Sequence, residues 1–181
     1  MTLLHTKRIY SGRIVSLDLD TVRYPNGTVG ELEMLRHPGA SAVVPFLDDP
    51  CDADPRVLLI RQFRHATGDF LWEIPAGRRD GDEAAAATAA RELREETGYT
   101  CTGMAKLTSI WTTPGFTDEV IHLFMATDLS PGTTALEADE VLDVHPLRWS
   151  EARAMIRRGE IVDAKTLVAL LYVEVEVRGK T

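Results

Sequence analysis

Hydrophobic and polar positions alternate through the first part of the chain. In residues 13–23, RIVSLDLDTVR, Val15, Leu17 and Leu19 recur with the two-residue period of a half-buried strand. Pro25-Asn26-Gly27-Thr28 is turn chemistry. Residues 30–36, GELEMLR, read as the returning strand, so the first 36 residues predict a β-hairpin element slightly apart from the rest. Short apolar runs predict strands at 40–47, 57–64 and 70–77, the last broken by Pro75 and Gly77. Residues 104–113 and 119–127 read as strands flanking the loop TPGFTD, and 141–149 as the final strand. Between them, 129–140 is an acidic loop with little periodicity. Helices are predicted at 83–97, at 150–159 with Ser150 as cap and Gly159 as stop, and at 163–176. The last has Leu167, Leu170 and Leu171 on one face, although its YVEVEV end fits a strand equally well. This mixture predicts an α/β sandwich with helices covering a mixed sheet.

Composition narrows the function classes. The 181 residues are 44% hydrophobic, enough for one packed domain and against global disorder. With 28 acidic and 20 basic side chains the net charge is −8, which disfavours bulk nucleic-acid binding and attachment to anionic lipid. No apolar run approaches the roughly 20 residues that span a bilayer. MTLLHTKRIYSGR has no secretory h-region, so a cytoplasmic protein is expected. Cys51 and Cys101 have no metal-ligand spacing and read as unpaired thiols. His37, His65, His122 and His145 are scattered, with no pair at helical metal-ligand spacing.

The chemistry concentrates between Gly77 and Tyr99, GRRDGDEAAAATAARELREETGY. Asp80 followed by Glu83 resembles a capping box, the alanines favour helix, and Gly98 supplies a left-handed stop. Glu92, Glu95 and Glu96 are three and four residues apart and share one side of that helix. Such carboxylates repel one another unless something positive sits between them, and Arg91 and Arg94 give partial relief. Crowded carboxylates suit hard divalent cations such as Mg²⁺, although acidic helix faces are often only solvated.

The same stretch resembles the Nudix signature at all nine specified positions across 23 residues: Gly77, Glu83, Arg91, Glu92, Leu93, Glu95, Glu96, Gly98 and Tyr99. The resemblance implies an α/β/α sandwich with a loop–helix–loop signature. It also implies Mg²⁺- or Mn²⁺-dependent hydrolysis of a nucleoside diphosphate derivative, with two or more ions. Glu92, Glu95 and Glu96 match the family's metal ligands, Glu83 a supporting acid, and Ala76 a ligating carbonyl.

Flanking segments resemble the ADP-ribose pyrophosphatases within that family. Pro114 lies fifteen residues after Tyr99, within WTTPGFTDE. IRQFRHATGDFLWEIPAG and RRGEIVDAKTLVALLY add to the likeness, which spans nearly the whole chain. Those enzymes split ADP-ribose into AMP and ribose 5-phosphate. The resemblance assigns Arg64 to the substrate diphosphate, Glu73 to support of the site, Gly115 to a backbone contact and Glu119 to the distal ribose. Trp72 reads as core. It places a catalytic base on the acidic loop LEADEVLDV, at Glu140 by alignment of the following strand, with Glu137 and Asp139 as alternatives; Glu95 or Glu96 can also serve as base. It further implies a homodimer joined through the N-terminal hairpin (1–36), with the hydrolase domain at 37–181, and Arg36 or Glu33 as candidates for the partner's pocket.

Competing substrates are GDP-mannose, other nucleotide sugars and NADH. A non-catalytic ADP-ribose sensor is the other class, disfavoured by the whole signature. The charge is also local: residues 73–96 carry −3 and residues 137–143 carry −4. These carboxylates repel an anionic substrate until a cation offsets them.

Overall fold

A computed structural model describes residues 1–136 and 140–180. Among these residues ten strands form three sheets, and three α-helices accompany them. The N-terminal sheet is antiparallel, β1 (Thr2–Ser11), β2 (Ser16–Arg23) and β3 (Val29–Arg36). The expected hairpin is β2–β3. Its turn closes through Gly27 N–H to the Tyr24 carbonyl at 2.9 Å. β1 adds a strand that the pattern does not signal. Every residue of β1 is exposed, so its apolar side chains have no buried side to alternate with.

The central sheet runs β7 (Ala76–Arg78), β4 (Ala40–Pro45), β9 (Val120–Pro131), β8 (Tyr99–Trp111). β4 pairs in parallel with β9 and antiparallel with β7, which makes this sheet mixed as expected. A third sheet orders β10 (Leu142–Arg148), β5 (Arg56–Arg64), β6 (Asp69–Glu73). The predicted 70–77 strand is thus two strands in different sheets, parted at Ile74–Pro75.

Helix α1 (Ala85–Thr97) packs through Ala89 and Leu93 against Val43, Phe124 and Ala126 of the central sheet. Thr88, Ala89, Glu92, Leu93, Glu96 and Thr97 form its buried stripe, at the three- and four-residue spacing of one helix face. Truncating the fully buried Leu93 to Ala would cost about 3 kcal/mol. The larger core gathers Phe46, Val57, Leu59, Leu123, Trp149 and Leu170, between sheets and helices α2 (Trp149–Arg158) and α3 (Ala164–Glu176). Trp72 packs on that core, edge-on to His145, as expected. The 163–176 stretch is helical to Glu176, so the strand alternative fails there.

Two predicted caps are corrected. Helix α1 begins at Ala85 with no side-chain cap; Asp80 accepts the Glu83 N–H through its backbone carbonyl instead. Helix α2 begins at Trp149, and Ser150 lies inside it. Asp54, from the β4–β5 connection, accepts from both Ser150 N–H and Ser150 Oγ, at 2.8 and 2.9 Å. Both cysteines are free. Among the described residues no helix is long and apolar enough to cross a membrane.

Candidate active site

Strand β7 and helix α1 meet face to face because Gly77 has no side chain. A Cβ there would lie 1.9 Å from Glu92 Oε1. Next to it, the Ala76 N–H donates to Glu96 Oε2 at 3.0 Å. The signature glycine and its neighbour therefore set β7 directly on the carboxylate face of α1.

Arg91 organises that face. Its guanidinium reaches Glu83 at 3.0 and 3.2 Å, Glu92 at 2.6 Å, Glu95 at 3.1 Å, and the Arg78 carbonyl at 3.0 Å. Thr88 Oγ1 also donates to Glu83, to the Oε2 that Arg91 Nη2 contacts, at 2.8 Å. Three of the four candidate glutamates are thus gathered on one cation, and the fourth, Glu96, lies beside Glu92 on the buried stripe. Among the described residues no three metal-binding side chains already converge as a cation cage.

The electrostatics divide the cluster. Hydrogen bonding to Arg91 pulls the Glu83 carboxyl down to about 2. Burial pushes Glu92 up to about 7, despite its contact with Arg91. Burial, then the charge of Glu92, pushes Glu96 up to about 8. Neutralising these two carboxylates by a cation would remove a real cost. All the donors are oxygens, the ligand type that a hard divalent cation takes, so the residues fit such a cation by their chemistry.

Glu140 adds to this field, since its charge contributes to raising both Glu92 and Glu96. Gly98 ends α1 with φ of 77°, and a Cβ on it would meet Thr134 N and Gly132 O at 3.1 and 3.2 Å. Ala135 N–H then donates to the Glu95 carbonyl at 2.9 Å. The segment 132–135 after β9 is thus laid across the C-terminal end of α1. The alternatives Glu137 and Asp139 lie outside the described residues.

On the neighbouring sheet, Glu73 is buried and grips Arg64 side-on, Oε1 to Nε at 2.8 Å and Oε2 to Nη2 at 2.7 Å. Burial alone would raise the Glu73 carboxyl; Arg64 and Lys165 outweigh it and hold the carboxyl below its usual range. Lys165 donates to Glu73 Oε2 and, at 3.0 Å, to Asp163 Oδ2. Sequence reasoning did not nominate Lys165, although it lies in the DAKT stretch that carries part of the resemblance. The charge of Glu96 acts on Arg64, so this group lies within electrostatic reach of the cluster.

Among the described residues, no hydrogen bond or ion pair joins the loop 112–119 to the carboxylates of the cluster. Glu119 accepts from Thr112 Oγ1 at 2.8 Å and lies 3.3 Å from His37 Nδ1. Gly115 stands in open space. The loop is fastened to β3: Leu35 N–H donates to the Phe116 carbonyl at 2.7 Å, and Arg36 reaches Asp118 at 3.3 Å. Arg36 also pairs with Asp18 and Asp20.

The NUDIX domain model matches residues 36–170. A methanol dehydrogenase activator from Bacillus methanolicus is 39% identical, over 96% of this chain and 92% of its own. An ADP-ribose pyrophosphatase from Bacillus subtilis (strain 168) is 36% identical, over 94% and 90% respectively. Among solved structures, an ADP compounds hydrolase superposes with a TM-score of 0.80 at 22% identity, covering 99% of this chain and 95% of that one. That last likeness speaks for the fold. The family match, extending from the end of β3 well into α3, takes in both the signature helix and the strands that hold its carboxylates: the chain belongs to the Nudix family and is a Nudix hydrolase.

Proposed function

We propose that this enzyme hydrolyses ADP-ribose to AMP and ribose 5-phosphate, with Mg²⁺ or Mn²⁺ held by Glu92, Glu95, Glu96 and the Ala76 carbonyl and supported by Glu83. The observation that carries the reading is two groups within electrostatic reach of one another: a carboxylate cluster on α1, and Arg64 clamped by Glu73 on the neighbouring sheet. Likeness to an ADP-ribose pyrophosphatase over nearly the whole chain supports the substrate. Nudix hydrolases are generally dependent on divalent metals. Such a cation, when bound, neutralises phosphate charge and lowers the pKa of water.

The chain's own groups do the rest. Arg64 binds the diphosphate. Glu119 and the Gly115 backbone contact the distal ribose. Glu140 takes a proton from the attacking water as its oxygen bonds to one phosphorus; the bridging oxygen departs with the other phosphate. Glu95 is the alternative base. The exposed β1, with Leu3, Leu4, Ile9 and Tyr10 in solvent, supports a homodimer in which residues 1–36 join two hydrolase domains of residues 37–181. The chain works in the cytoplasm and binds neither nucleic acid nor membrane.

Purified enzyme given ADP-ribose, GDP-mannose and NADH at equal concentration tests the substrate. The highest kcat/KM is expected for ADP-ribose, with AMP as product. Faster turnover of GDP-mannose would overturn it.

A further inference from the structure

The start of α3 is built into the wall of the site. Asp163 caps the helix by accepting from Thr166 N–H and Thr166 Oγ1, at 3.0 and 2.6 Å. Thr166 Oγ1 in turn accepts the Ile74 N–H at 2.9 Å, where the chain leaves β6 for β7. Lys165, 11% exposed at its side chain, points from this latch onto Glu73. Glu73 is 1% exposed and already accepts from Arg64 with both oxygens. One buried carboxylate therefore serves two cations.

The two cations are not equivalent. Lys165 commits two of its three N–H donors, to Glu73 and Asp163, and only 11% of its side chain is exposed. Arg64 commits Nε and Nη2, and among the described residues its Nη1 has no hydrogen-bond partner. Its side chain remains 39% exposed. Arg64 is therefore oriented from behind, with a donor edge left over for an oxygen anion.

We propose that Lys165 is a positioning residue for substrate binding: by sharing Glu73 it keeps Arg64 both oriented and incompletely neutralised, so that Arg64 receives the substrate's diphosphate. Without Lys165, Glu73 neutralises Arg64 one for one, and Asp163 leaves the group with a net negative charge in front of an anionic substrate. The effect falls on affinity rather than on the chemical step. This inference rests on the assignment of Arg64 to the diphosphate, and it is indifferent to what the diphosphate is attached to.

Steady-state kinetics with Mg²⁺ on Lys165→Met and Lys165→Arg test it, each with ADP-ribose and GDP-mannose. Lys165→Met is expected to raise KM about tenfold on the preferred substrate while kcat changes less than about threefold. Lys165→Arg restores most of the loss, because it keeps the charge within reach of Glu73. Lys165→Gln, neutral but still able to donate, reproduces the KM rise and decides the matter if the Met variant does not fold. An unchanged KM, or a fall in kcat at constant KM, overturns the proposal. Preference for GDP-mannose would defeat the ADP-ribose reading alone, since the KM comparison is then read on that substrate.

Discussion

Gly77 and Glu92 occupy what would be one another's space: a methyl group on Gly77 would lie 1.9 Å from Glu92 Oε1. Glu92 is held by Arg91 and cannot yield without disturbing the cluster. Gly77→Ala is expected to fold, at a cost of about 1–3 kcal/mol for the forced shift. Turnover should fall about a hundredfold, the usual penalty for displacing a site by an ångström. Thermal unfolding and kinetics on the same sample check both halves.

At Glu96 a stability effect separable from activity is expected. It is 1% exposed, and burial raises its carboxyl to about 8, so at neutral pH its ionised form is costly. A glutamine keeps an oxygen for the Ala76 N–H and carries no charge. Glu96→Gln should therefore leave the metal-free melting temperature unchanged or higher, yet lose turnover by orders of magnitude and most of the rise produced by Mg²⁺. Normal activity would remove Glu96 from the ligand set.

Arg91 is expected to act in the opposite sense. Removing it leaves Glu83, Glu92 and Glu95 facing one another without their shared cation. Because the side chain is about a quarter exposed, solvent screens part of the loss, and Arg91→Gln should destabilise the metal-free protein by about 2 kcal/mol. Adding Mg²⁺ should recover more stability in this variant than in the parent. Melting curves with and without the ion measure it.

Glu73 sets an acid-side dependence. Its folded-state carboxyl lies below the usual range, net of burial, because of Arg64 and Lys165. Its stabilising contribution is present above the unfolded carboxylate value of about 4.3 and is lost as pH falls through the folded value. Glu73→Gln should cost about 2 kcal/mol at pH 7. The gap in melting temperature between parent and variant should narrow on acidification below that value. A constant gap would contradict the pairing.

Most of the signature was legible because its residues are local. Glu92 and Glu96 fall on one helix side by spacing alone, and Gly98 ends that helix as its chemistry requires. What spacing could not show is how other segments enter. Arg91 reaches back to Glu83, which lies outside the helix, so a pattern within the helix reveals only its pairing with Glu95. Lys165 meets Glu73 across 92 residues, and no local signal marks that contact. Ser150 reads as a cap by residue type, yet Asp54 supplies the acceptor from a distant loop. β1 escaped because a strand with no buried face leaves no hydrophobic alternation.

The most direct test is AMP release from ADP-ribose by enzyme stripped with EDTA and then titrated with Mg²⁺. The carboxylate cluster as a cation site predicts no AMP before the ion is added. Afterwards AMP and ribose 5-phosphate should appear in equal amounts, with saturation in Mg²⁺ that Glu96→Gln abolishes. AMP release in EDTA, or a titration curve unaffected by Glu96→Gln, would contradict it.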